Sequence, residues 1–104
     1  MIDDFSEKVI SLVQKRKDLH PDDPAIQAIW NEMIEILKEN EQSAISFLDQ
    51  CDEKELYWLS EIFEDLSSEF QSRAFIDCLF QLQKKYPDLD MEQDIEYAIQ
   101  SIED

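Results

Sequence analysis

The stretch Asp52–Phe70, DEKELYWLSEIFEDLSSEF, decides how the rest of the chain is read. It opens with a helix-start signal: Asp52 can accept a backbone N–H, and Glu55, three residues on, can reach back as in a capping box. Leu56, Leu59, Phe63, Leu66 and Phe70 then recur at three- and four-residue steps, which gathers them on one side of a helix. Glu61, Glu64, Asp65 and Ser68 fall on the opposite side. Tyr57 and Trp58 do not fit that division, since they are aromatic yet lie about 120–140° from the centre of the apolar stripe. Either this helix is buried twice over, or it shows aromatic rings framed by carboxylates to a partner.

Working outward, every segment reads as helix. The chain of 104 residues contains no glycine. Tight hairpins, phosphate loops and the calcium-binding turn of an EF-hand all need glycine for positive φ or close backbone approach, so those folds are excluded together. Helix one is expected from Asp4 to about Lys17, with Asp4 and Glu7 as a capping box and Phe5, Val9, Leu12 and Val13 inward. Lys15, Arg16 and Lys17 fill its last turn, where cations meet the negative end of the dipole. After the loop Asp18–Asp23, Asp23-Pro24 starts helix two, whose inward set is Ile26, Ile29, Trp30, Met33, Ile34 and Leu37. Helix three runs from about Glu41 to Gln50 on Ala44, Ile45 and Leu48, and the opening stretch, ending near Ser67-Ser68, is helix four. Helix five starts at a Ser72 cap, buries Phe75, Ile76, Leu79, Phe80 and Leu82, and stops at Tyr86-Pro87. Helix six is capped by Asp90 and buries Ile95, Ala98, Ile99 and Ile102.

The expected fold is therefore all-α: one domain of about six short amphipathic helices, stacked as antiparallel αα-hairpins in a short HEAT-like solenoid, with an irregular helical bundle as the alternative. An echo supports stacking: Leu56-Tyr57-Trp58 … Phe63-Glu64-Asp65 aligns with Ile95-Glu96-Tyr97 … Ile102-Glu103-Asp104 at an offset of 39 residues.

Charge narrows the partners. The net charge is −17, and residues 1–20, with four acids and four bases, contribute none of it. Such a surface repels nucleic acid and anionic membranes and attracts basic proteins. The acidic start has no apolar leader segment and no run approaches a membrane span, so a cytoplasmic protein is expected. Cys51 and Cys78 lack metal or redox spacing and read as small core residues.

Little here reads as chemistry. His20 is the only histidine and sits before Pro21 in a loop. Glu61, Glu64 and Asp65 could serve acid–base or metal chemistry, but a helical ExxED on a polar face reads first as solvated surface. Asp88, Asp90, Glu92 and Asp94 resemble the start of a calcium loop without its glycine or closing Glu. The expectation is no catalytic residue, no cofactor and no metal. What remains is a binding surface of rigid aromatics and orienting charge on helices three and four: Asp49, Asp52, Glu53, Tyr57, Trp58, Glu61, Glu64 and Asp65.

Trp30-Asn31-Glu32-Met33-Ile34, Ala44–Leu48, Trp58-Leu59-Ser60-Glu61-Ile62-Phe63-Glu64-Asp65, Gln71-Ser72 with Phe75-Ile76, Lys85-Tyr86-Pro87, and Asp94-Ile95 with Ala98-Ile99 resemble the small acidic helical immunity proteins encoded beside bacterial polymorphic toxins, including those of contact-dependent growth inhibition systems. The similarity spans about residues 26–102 and rests on spaced hydrophobic and aromatic positions. It implies a cytoplasmic antitoxin, monomeric when free, that binds and neutralises a cognate toxin domain and has no activity of its own. The alternative from another class is a regulatory or scaffold module holding a partner protein or peptide in an apolar groove.

Overall fold

The computed structural model describes residues 4–103, the side chain of Asp4 excepted; the expected Asp4–Glu7 capping box and the Asp104 end of the internal echo lie outside the described residues. Among the described residues all regular structure is helical. The elements are α1 (Asp4–Asp18), α2 (Ala25–Leu37), α3 (Glu41–Gln50), α4 (Glu53–Leu59), a 3₁₀ turn (Ser60–Ile62), α5 (Phe63–Phe70), α6 (Arg73–Lys85), a second 3₁₀ turn (Pro87–Leu89) and α7 (Glu92–Gln100). Helix four of the sequence reading is thus α4, a 3₁₀ turn and α5 in one run.

The helix starts are set by local chemistry. Asp52 Oδ1 accepts from the Glu55 N–H (2.9 Å) and Glu55 Oε1 from the Asp52 N–H (3.0 Å), closing the expected capping box. Ser72 Oγ accepts from the Ala74 N–H (3.1 Å) and starts α6 where expected. Asp23 Oδ1 accepts from the Ala25 N–H (2.9 Å), and Pro24 already has helical φ of −63°. Asp90, by contrast, is not the cap of the last helix. It takes a left-handed conformation (φ 56°) at the end of the second 3₁₀ turn, and Met91 occupies the cap position, almost fully buried. The turn at Pro87–Leu89 redirects the chain so that Met91 enters the core.

Short connections reverse the chain between neighbours. The run α4–α5 is central: α4 packs on α1, while α5 packs most broadly on α7 and also touches α2 and α6. A second layer is formed by α3 against α6. The α1–α4 contact departs from a strict nearest-neighbour stack, and the extents of 34 × 34 × 26 Å make the assembly as wide as it is long. One continuous core joins all of it, centred on Met33, Leu37, Leu48, Leu56, Leu59, Phe63, Leu66, Phe75, Leu79 and Leu82.

Several inward assignments shift. Ile99 is 38% exposed and Phe80 42%, although both sit at helical spacing with buried residues. Trp30, Ile34, Ile45, Phe70 and Ile102 are half-buried at the core margin, while Phe47, Met91 and Ile62 are buried. The 3₁₀ turn accounts for Ile62. It advances about 20° more per residue than α-helix, so three residues rotate the following face by about 60°. Ser60 stabilises the turn by donating from Oγ to the Tyr57 carbonyl (2.8 Å). No described helix is long and apolar enough to cross a membrane.

Candidate partner-binding surface

Trp58, one of the two aromatics that broke the division of the helical wheel, is held by an arginine. Arg16, in the last turn of α1, is only 7% exposed. Its Nε and Nη2 donate to the two carboxylate oxygens of Glu61 at 2.8 and 2.7 Å. The guanidinium lies over the Trp58 ring, 4.8 Å from its centroid. Glu61 Oε1 also accepts from the Trp30 indole N–H (3.1 Å). Four side chains from α1, α2, α4 and the 3₁₀ turn thus form one satisfied polar knot beside the core.

Glu61 is therefore not the outward carboxylate of the sequence reading. The rotation of the 3₁₀ turn swings it toward α1, where its charge is spent on Arg16. Arg16 in turn is more than a helix-end cation. No local pattern reveals this pairing, because its members are 45 residues apart.

Beside the knot an open cleft of about 410 Å³ lies between α1 and α4. Trp58 and Tyr57 wall it, Val13 and Leu89 supply apolar surface, and Asp52 and Glu53 stand at one end. Tyr57 stacks on Trp58 (centroids 4.8 Å apart, planes at 32°) and is itself 53% exposed. Trp58 is half-buried: it belongs to the core margin and the cleft wall at once. The cleft is not uniformly acidic, because Lys17 and Lys54 also line it.

Of the residues expected at one surface, Asp52, Glu53, Tyr57 and Trp58 are brought together here. Asp49 is exposed on α3, outside the cleft, in a segment whose backbone carbonyl at Asp49 accepts from Lys85 Nζ (3.2 Å). Glu64 and Asp65 are exposed on α5, beyond the 3₁₀ turn, on the element that packs against α7. That pair forms a second surface. Glu64, Asp65 and Glu69 on α5, with Glu92, Asp94 and Glu96 on α7, make six acids, and neither helix contains a Lys, Arg or His. Asp88 and Asp90 extend the run. The sequence carries the signal for this surface, since residues 88–104 hold acids and no Lys, Arg or His.

Crowding leaves a mark on the titration of this surface. Partial burial, then the neighbouring Glu64, raises the carboxyl of Asp65 above the ordinary aspartate range. Asp94 is raised by burial first and then by Glu61 and Asp90, with the nearby Ser60 hydroxyl opposing the shift. Both thiols are buried and free. Burial, with Glu55 and Asp52 nearby, pushes Cys51 up to about 12, and Cys51 Sγ donates to the Phe47 carbonyl (3.2 Å). Burial and Asp49 push Cys78 up to about 11. Thiols held in that form are poor nucleophiles. His20 is exposed, and its Nδ1 accepts from the Asp22 N–H (3.2 Å) inside the α1–α2 loop. Among the described residues no three His, Cys, Asp or Glu side chains converge as a metal site requires.

Comparison with protein-family models, with curated proteins and with solved structures finds no match for this chain.

Proposed function

We propose that this protein is an immunity-type inhibitor, which binds a basic bacterial toxin domain such as a nuclease, blocks it, and performs no reaction of its own. The observation that carries this reading is the base-free pair α5–α7. Six carboxylates on two helices that carry no base of their own, with Lys38 near Glu69 alone, on a chain of net charge −17, give a potential that draws in a cationic protein. A basic nuclease cleft built for phosphates is complementary to it in sign. The outward Tyr57 adds the rigid, amphipathic contact area that protein interfaces favour.

The test is protection in cells together with association kinetics in solution. The reading predicts that the protein encoded next to this chain arrests growth when expressed alone and that co-expression of the chain restores it. Glu64→Lys with Asp65→Lys should slow association about tenfold at low salt and flatten its salt dependence. Glu61 is left intact because its loss would unpair Arg16. Absence of protection and of a complex, or an association rate indifferent to both salt and charge reversal, overturns the proposal.

A further inference from the structure

Arg16 demonstrates what the aromatic wall can hold. The Glu61 carboxylate grips its guanidinium at 2.8 and 2.7 Å while the Trp58 ring lies 4.8 Å beneath it. A carboxylate and an aromatic face acting together suit a guanidinium, which is planar, weakly hydrated and forked. The same two features recur beside it on α4, at exposed residues. Tyr57 lies tilted against Trp58, with ring centroids 4.8 Å apart, and is 53% exposed. Glu53 precedes it by four residues, which sets carboxylate and ring on the same flank of α4. Glu53 is exposed and makes no hydrogen bond or ion pair among the described residues.

We propose that the α1–α4 cleft takes one arginine side chain of a partner protein, its guanidinium stacked on the outer face of Tyr57 and held by Glu53. This rests on the reading of the chain as a binder of a basic protein, and it names the anchor. The cleft's own charges limit the occupant to one cation. Its lining holds three carboxylates and two ammonium groups. Two of those carboxylates, Asp52 and Glu55, are already engaged in the capping box, while Lys17 and Lys54 repel any neighbouring cation. A volume of about 410 Å³ admits a side chain with its flanking peptide. Tyr57 is fixed by Trp58, and Trp58 by Arg16, so the platform is ordered before the partner arrives and association loses less entropy.

Nuclear magnetic resonance titration of the full chain tests this with capped glycine peptides carrying a single central arginine, lysine or glutamate. The arginine peptide should shift the Tyr57 ring and Trp58 indole signals saturably, with a midpoint about threefold lower than its lysine twin. Tyr57→Ala should abolish the response and Glu53→Gln should weaken it. The Trp30 indole signal, whose N–H is bonded to Glu61, should stay in place in both variants and so report an intact knot. If Tyr57→Ala moves that signal, Tyr57→Leu takes its place, since it keeps the apolar area and removes the ring. Equal shifts from arginine and lysine on α5 and α7 alone overturn the anchor and leave the electrostatic reading standing. A glutamate peptide that moves the Tyr57 and Trp58 signals overturns the anchor as well. No response to either cationic peptide, with growth protection intact, also removes the anchor without touching the inhibitor proposal.

Discussion

Removing the Glu61 carboxylate would leave a guanidinium that is 7% exposed with an aromatic face and no counter-charge. Breaking a buried pair from one side costs about 3–5 kcal/mol, whereas replacing both partners with apolar groups of similar size is often neutral. Because Glu61 retains access to water, with its side chain 26% exposed, the lower end of that range applies. Glu61→Ala should therefore destabilise the fold by about 3 kcal/mol, lowering the melting temperature by about 10–20 °C for a chain of this size. Adding Arg16→Met to Glu61→Leu should recover most of the loss. Urea denaturation of the single and double variants checks this, and a Glu61→Ala protein as stable as its parent would refute it. At this scale the sequence was partly legible. The Asp52–Glu55 box and the Ser72 cap span three residues or fewer, and local periodicity and cap chemistry found both. The Arg16–Glu61–Trp30 knot joins residues 31 and 45 positions apart, and no short-range pattern encodes it.

A chain without glycine must end its helices by other means. α5 ends at Gln71, which takes φ 48° and ψ 48°, a left-handed conformation that costs a non-glycine residue about 1–2 kcal/mol. The side chain offsets this cost. Gln71 Nε2 donates to the carbonyls of Ser68 (3.0 Å) and Ser101 (2.8 Å), and Oε1 accepts from the Glu103 N–H (2.7 Å), so this one residue also ties down the end of α7. Nearby, Ser67 and Ala98 are fully buried where α5 meets α7, and Ser67 Oγ donates to the Ala98 carbonyl (2.7 Å). Gln71→Ala, which keeps the strain and loses the bonds, should destabilise by about 2 kcal/mol. Gln71→Gly should recover about 1 kcal/mol of that while leaving residues 101–103 quick to exchange their amide hydrogens. Equal stability of the two variants would show that the left-handed turn carries no strain. Element existence and order were legible, since apolar spacing and start signals repeat along the chain. The 3₁₀ turn inside helix four was not, because Ser60–Ile62 look like ordinary helical residues and only packing on both flanks makes the tighter turn favourable. Along the chain, that turn stands between Tyr57 and Trp58 on α4 and Glu64 and Asp65 on α5.

For the whole molecule, charge opposes folding. Twenty-six acids face nine bases, and among the described residues the Lys and Arg ion pairs are Arg16–Glu61 and Lys38–Glu35. The uncompensated carboxylates repel one another in the compact state more than in the open chain. The raised carboxyls of Asp65 and Asp94 put this repulsion and partial burial into one sign. A group whose folded pKa lies above its unfolded value binds its proton more tightly in the native state. The folded state therefore loses relative stability as pH rises through the window just above the ordinary aspartate range, and regains it as pH falls back through that window. Acidification should thus stabilise this protein at first, where most proteins lose stability. The melting temperature should rise as pH falls from neutral through that window, and adding about 0.3 M sodium chloride at neutral pH should raise it as well, by screening. Asp65→Asn with Asp94→Asn should raise the neutral-pH value and flatten the climb toward acid. The pH effect stems first from burial and then from like charge, whereas the salt effect reads the like charge alone. A melting temperature that drops in calorimetry as pH falls through that window would mean that Asp65 and Asp94 are better compensated in the native state than their burial and their acidic neighbours imply.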